Sequence, residues 1–534
     1  MQLRILILLT VLCLRAHGAD WLTDGGNPHR TGWQIDEHVL SKESVKDLQI
    51  LWTLKLDNQP REMHSLFAPL IADNVPTKAG PKQIAIEAGI SDNLYAIDVD
   101  AGKILWQRHF EYPPITQGRG LEKGDPLCPG GQTATPLIGP LQNGKRTVYA
   151  LDGDGRLHFI NLADGEDLAT PVKFGFANSK SYSLNMWDDV IFTSTSQSCN
   201  GSPNQMWAID LKDPAKRVTT FNPRSGGMWG RSGVAIDFNG VAWAPTGDGI
   251  YDPENRTFGN GLVGAKMVDG RLQLQDWFEP TNWSWLRKRD LDMQVTPAIF
   301  KYKDRPLMVT GSKECRVYLL DPNEAGGDDH QTPLYRTPLL CNQEVNFASA
   351  GIWGSMATWL DADGTRWILT PFWGPVRPDF KVPVSYGPVT HGAVIAFKLQ
   401  QNGSSFVLDP AWMSRDMMRA EPPVVANGVI FGYGNGENTE QAYADRGLFD
   451  YSPERIKHST HAVLYALDAE TGKELYSSGD QIKSFNHFSA LSVANGRVYI
   501  ATYDSVLYCF GLAKESNAGA GKRDENVTVN RARQ

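Results

Sequence analysis

The chain has 534 residues, 41% of them hydrophobic and 21% charged, which is enough apolar material for several domains or one long repeat array with a large core. Its net charge of −8 comes from 52 basic and 60 acidic residues mixed along the sequence. No basic stripe is present that would neutralise phosphates, which argues against nucleic acid as a partner.

Taken in chain order, residues 1–19 read as a secretory signal peptide: Arg4 starts it, an apolar run follows from Ile5 to Leu14, and small residues Ala16, Gly18 and Ala19 surround a cleavage point. That run is half the roughly 20 residues of a membrane-spanning helix, and Arg15 closes it. Leu12 is too large to precede a lipidated cysteine at Cys13. The expectation is therefore an exported protein, periplasmic or secreted, with no membrane span. Five cysteines remain, Cys128, Cys199, Cys315, Cys341 and Cys509, and an odd number leaves at least one thiol unpaired in an oxidising compartment. None forms C-x-x-C or C-x-x-C-H, which disfavours zinc ribbons and covalent haem; each is expected as a buried structural residue, and the pairing stays open.

From position 94 onward one short apolar run keeps returning: LYAID at 94, LHFIN at 157, MWAID at 206, LVGAK at 262, VYLLD at 317, VIAFK at 394, LYALD at 464 and LYCFG at 507. The spacings, between 43 and 77 residues, suit a β-propeller or another β array rather than a helical solenoid. In most units a turn such as DVDAGK or DAETGK follows, where Asp and Gly supply the special backbone angles, and then a second strand. Two more apolar segments precede each hairpin, giving four strands per unit. The eighth unit ends at LYCFG without its outer strand, and QILWTLKL at 49–56 has the shape of the missing one. Pairing the two would close the ring and leave no open edge. The sequence thus predicts an all-β fold: residues 20–513 form one eight-bladed β-propeller with four-stranded blades, closed by the N-terminal strand, with 514–534 as a disordered polar tail.

Between the repeats, CPGGQTATP places Cys128 beside paired glycines in a tight turn, DPNEAGGDDH at 321–330 reads as a solvated turn, and His458 and His461 fall in an irregular loop. The long stretches around ASAGIWGSMATW, PFWGPVRPDFKVPVSYGPVTHG and GYGNGENTEQAYADRGLFDYSPERIKHST exceed what a blade needs. Their aromatic, Gly and Pro content suits either a lid over one mouth of the channel or plain insertions. No G-x-S-x-G motif or phosphate loop occurs.

The unit LYALDAETGKELY resembles the pyrroloquinoline-quinone (PQQ) repeat, and DWLTDGGNPHRTGWQIDEHVLSKESVKDLQILWTLKLD resembles the opening of the quinoprotein alcohol dehydrogenases. This resemblance covers almost the whole mature chain. It implies a quinone across the axis, a calcium or lanthanide ion on its oxygens and a carboxylate base. On that resemblance GGMWGRSGVAID places Trp229 as the floor of the quinone and APTGDG places Asp248 as a metal ligand. KRDLDMQVTPAIF places Asp290 as the catalytic base beside the metal, with Asp292 as the extra carboxylate of lanthanide-type members, and GSKECRVYLLD places Lys313 on the quinone oxygens. The residue types suit these roles: hard cations take oxygen ligands, and a flat ring needs an aromatic platform. The vicinal cysteine pair that roofs the quinone is absent. Gln197, Ser198 and Cys199 stand where a metal-ligand glutamate is expected.

PQQ-type repeats also occur in propellers that bind no quinone. Two readings therefore remain open: a PQQ-dependent alcohol or sugar dehydrogenase passing electrons to a separate carrier, or a non-catalytic scaffold that binds a protein or polymer.

Overall fold

Each of the eight repeated runs is the third strand of its own antiparallel sheet, and the eight sheets follow one another along the chain. The computed structural model describes residues 18–440 and 452–513, together with the backbone of 442–443 and 447–448. The leader up to residue 17, the tail from 514 and part of the 432–460 loop lie outside the described residues. Blade 1 runs through Leu70–Thr77, Gly80–Gly89, Asn93–Asp98 and Lys103–His109. Blades 2 to 7 span 137–173, 180–221, 235–278, 298–336, 357–413 and 424–477. Blade 8 has Ser492–Ala494, Arg497–Ala501 and Val506–Gly511, and Gln49–Lys55 supplies its outer strand, with Gln49 opposite Gly511 and Lys55 opposite Val506. The expected closure is what the chain does. First strands of adjacent blades pack on one another around the axis, and Leu70–Thr77 returns to touch Ser492–Ala494.

Third strands have apolar centres because both faces are covered by neighbouring blades: Asn93–Asp98 is buried at every position, whereas the outer Lys103–His109 is largely exposed. The turn that joins them recurs with the same chemistry. Asp98 Oδ1 accepts from the backbone N–H of Asp100 and Ala101, and Gly102 at φ +61 donates back to Asp98 O at 2.8 Å. Asp468, Glu470, Thr471 and Gly472 (φ +74) repeat the pattern in blade 7. A tryptophan from the preceding blade's outer strand then lies on the turn: Trp52 covers Gly102 and Trp412 covers Gly472, where a Cβ would come within 2.7 and 2.4 Å of the ring. Trp52 Nε1 donates to Val99 O at 2.8 Å. The Gly of the repeat is thus required twice, by its backbone angle and by the indole on top of it.

Several loops differ from expectation. Cys128 is not simply part of a turn: it is bonded to Cys199, and Cys315 to Cys341, which leaves Cys509 as a buried thiol. The pairing that the sequence left open is thereby fixed, with one thiol over, because the segments that carry the four cysteines meet only in the folded ring. His458 closes a short helix, Ser452–His458, rather than lying in an irregular loop. Within the 371–392 stretch, Val384–Ser385 joins the outer edge of blade 6 as a parallel fifth strand, so that part of it is blade edge and not a lid.

The N-terminal segment makes a further circuit. Ala19 exchanges two hydrogen bonds with Asn495 of blade 8, Trp21 bridges to Ile71 of blade 1, and Leu22 O accepts from Ile138 N–H of blade 2. Thr23 then bonds Leu184 of blade 3, while Pro28, His29, Thr31 and Gly32 accept from or donate to blades 4 to 7 in order. Gln34 returns to Val493 of blade 8. Sixteen residues thereby tie all eight blades together, with Arg30 fully buried at the centre and bonded to Val234 O, Thr23 Oγ1 and Leu184 O.

Candidate active site

In a propeller blade, the residues just before the first strand and just after the second meet at the same end of the axis. Trp229 precedes Ala235–Ile236 and Asp248 follows Ala242–Pro245 in blade 4; Asp290 and Asp292 precede Ala298–Tyr302 and Lys313 follows Arg305–Gly311 in blade 5. All five side chains line one cavity of about 360 Å³.

Inside it the three carboxylates offer one oxygen each within 4.8 Å of one another. Lys313 Nζ lies 2.8 Å from Asp292 Oδ2 and 3.1 Å from Asp290 Oδ1, and the backbone N–H of Asp248 donates to Asp292 Oδ1 at 2.8 Å. The same ammonium sits 5.9 Å from the Trp229 ring centre and 5.3 Å from that of Trp353, within cation–π range of both indoles. Three acids against one amine leave surplus negative charge. Burial, with Asp292 and Asp290 nearby, pushes Asp248 up to about 8, and burial with the Asp292 charge pushes Asp290 up to about 6 against the pull of Lys313. Burial also disfavours ionised Asp292, but the Lys313 ammonium outweighs it and holds that carboxyl below its ordinary value. Asp290 is further held in the left-handed region at φ +54, a strained angle for a residue with a side chain. An all-oxygen donor set with uncompensated charge fits a hard divalent or trivalent cation.

Where a glutamate is expected, Gln197 accepts from Arg119 through its amide oxygen, and Arg119 also holds Asp125 at 2.6 Å. Two residues on, the Cys199–Cys128 disulfide fastens this loop to the 119–131 segment, whose Pro126 and Leu127 line the cavity. The loop that lacks the glutamate is thus anchored by a cysteine bridge between blades.

Sequence reasoning missed Arg231, Trp353, Arg455 and His487, which also line the cavity. Arg231 stood inside the quoted GGMWGRSGVAID, and Trp353 and Arg455 inside long loops noted for their composition. His487 carried no local signal.

Solved structures with similar backbones include a europium-containing methanol dehydrogenase, at TM-score 0.56 and 12% identity over 92% of this chain and 98% of that one. Quinohemoprotein alcohol dehydrogenases from Comamonas testosteroni and Pseudomonas putida HK5 follow at 0.55, with 14% and 12% identity over 96% of this chain and 83% and 82% of theirs. The fold is that of the quinoprotein alcohol dehydrogenases. At such identities the likeness is one of fold. No protein-family model and no curated protein matches this chain by sequence. Within the quinoprotein-type propeller, the cavity opens where strand ends from blades 4 and 5 bring the carboxylates, the lysine and Trp229 together.

Proposed function

We propose that the chain is an exported quinoprotein dehydrogenase that oxidises an alcohol or sugar-like substrate with PQQ and a bound calcium or lanthanide ion. The observation that carries this reading is the cluster of Asp248, Asp290 and Asp292 with Lys313, whose ammonium is within cation–π range of Trp229 and Trp353, in one cavity. When bound, the quinone supplies hydride-accepting chemistry and the cation polarises it. Asp248 and Asp292 would hold the cation, whose charge would favour their ionised forms, Trp229 would give a platform for a planar ring, and Lys313 would be placed to donate to ring oxygens. Asp290 takes the hydroxyl proton of the substrate at its carboxylate. With no haem attachment motif in the sequence, electrons pass to a separate carrier. Export is supported by the two disulfides, which persist in oxidising compartments, and no helix among the described residues is long and apolar enough to cross a membrane.

Apo-protein given PQQ with calcium or a lanthanide is expected to bind the quinone and reduce an artificial acceptor when supplied with a primary alcohol or sugar. Asp290→Asn should lower turnover by about 10²-fold or more with the blades intact, since an amide does not take a proton at neutral pH. One feature favours the scaffold reading: Lys313 already pairs with two of the three acids. Absence of quinone binding with every cation tried would leave the scaffold as the function.

A further inference from the structure

Arg231 leaves the Trp229 loop of blade 4 and reaches across the axis to Glu421, in front of blade 7. Its Nη1 donates to Glu421 Oε2, and Glu421 Oε1 accepts from Asn435 Nδ2 at 2.7 Å. That accounts for only one nitrogen. Nε and Nη2 are buried and have no hydrogen-bond partner among the described residues. These two atoms form one edge of the guanidinium, a fork whose spacing matches the two oxygens of a carboxylate. Gly354 (φ +78) packs closely on the guanidinium, since a Cβ there would lie 2.9 Å from Nη2 and 2.7 Å from Pro422 Cγ, and both Arg231 and Gly354 line the cavity. Buried donors left unpaired forfeit their full hydration, so the fork is built for an acceptor.

His487, on the loop ahead of blade 8, faces the same cavity. Its Nδ1 lies 2.7 Å from Glu437 Oε2, and Glu437 is buried and also bound by Arg455. Burial works against the Glu437 anion, but His487 and Arg455 outweigh it and hold the carboxyl below its usual value. A carboxylate only accepts, so Nδ1 carries the proton and Nε2 presents a lone pair; Nε2 is buried with no partner among the described residues. Burial keeps the ring from protonating, with Glu437 favouring the charged form and Arg455 and Lys180 opposing it. The ring of His64 stands 4.8 Å away, and Lys180 Nζ is 3.1 Å from that ring's Nε2. The Phe488 ring connects the two groups, 5.8 Å from the Arg231 guanidinium and 4.2 Å from the His487 ring.

We propose that Arg231 and His487 form a hydroxycarboxylate subsite, so that the alcohol taken up in this cavity is a hydroxy acid. The guanidinium fork receives the carboxylate, and Nε2 accepts a hydrogen bond from a hydroxyl of the same molecule, which holds the ligand without taking its proton. The reaction performed on that ligand rests on the quinoprotein reading above; the binding does not.

The test is calorimetric titration of the apo-protein with glycolate and glycerate against ethylene glycol and glycerol. The acids should bind at least tenfold tighter than the neutral alcohols. Arg231→Lys keeps a cation opposite Glu421 and loses the fork, and should shrink that preference to under twofold. His487→Leu should weaken glycolate while leaving acetate unchanged. Gly354→Ala, which crowds Nη2 without altering charge, should act like Arg231→Lys, and thermal melts report that each variant is folded. Equal binding of acids and neutral alcohols, or acid preference surviving in folded Arg231→Lys, overturns the proposal. So does loss of glycolate binding once PQQ and calcium saturate the protein, with PQQ itself bound tenfold more weakly by Arg231→Lys, since the fork would then belong to the cofactor. Acid preference in a protein that binds no PQQ sustains the subsite and removes the quinoprotein reading; PQQ binding without acid preference does the reverse.

Discussion

Glu87 shows how one buried side chain sets a pH dependence. It sits in the second strand of blade 1, where Oε1 accepts from the backbone N–H of Phe67 and Ala88, and Oε2 has no partner among the described residues. Burial therefore pushes its carboxyl well above the ordinary value of 4.5. The folded chain then binds more protons than the unfolded chain above that value, so this group's contribution to stability is complete at low pH and is lost as pH rises towards the folded value. Glu87→Gln has no proton to lose, so as pH rises above 4.5 its unfolding free energy from urea titration should lack a fall that one proton makes as steep as about 1.4 kcal/mol per pH unit. Cys509 makes a simpler case: burial pushes its thiol up to about 12, so iodoacetamide should label the leaderless protein only after unfolding, at a single site, without added reductant. Labelling of the native protein would contradict the burial of Cys509, and labelling at several cysteines the two disulfides. The same scale explains what could be read of the site. Trp229, Asp248, Asp290, Asp292 and Lys313 lie in short motifs attached to strand ends, whereas Arg231 and His487 depend on Glu421 and Glu437, 190 and 50 positions away.

At the scale of one element, the repeat turn is a docking device between blades as well as a reversal of the chain. Gly102 combines a left-handed backbone with the Trp52 indole at 2.7 Å from where a Cβ would sit. Gly102→Ala should destabilise the protein by about 2 kcal/mol or more, since strain and steric conflict act together. Trp106 repeats the arrangement between blades 1 and 2, with Nε1 donating to Leu162 O at 2.9 Å; Trp106→Phe should cost about 1 kcal/mol by leaving that carbonyl without its donor. Chemical denaturation of each variant reads both effects. The Asp and Gly of this turn were legible because the requirement is local. The tryptophan's contact was not, because it reaches the next blade.

For the whole molecule, ring closure is doubled: Gln49–Lys55 completes the last blade, and Ala19–Gln34 ties the blades together around the axis. Arg30 is the centre of that inner loop, and Ser183 Oγ stands 2.9 Å from Asp24 Oδ2 and 3.1 Å from Arg231 O, linking the loop to the cavity. Arg30→Met leaves the buried Val234 O, Leu184 O and Thr23 Oγ1 without this donor, each worth about 1–3 kcal/mol, and should lower global stability in a single cooperative transition. Separate melting of a subset of blades would show that the loop does not couple them. The repeat, the blade count and the strand that closes the ring follow from the sequence itself, because hairpin chemistry and strand periodicity act over a few residues, whereas the acids on two strand ends were singled out only by the resemblance to the quinoprotein dehydrogenases. Only the tertiary structure decides that the N-terminal segment circles the axis, that Cys128 finds Cys199, and that Arg231 lines the cavity with one guanidinium edge unpaired among the described residues. Each depends on groups far apart in sequence that meet only when the ring is closed.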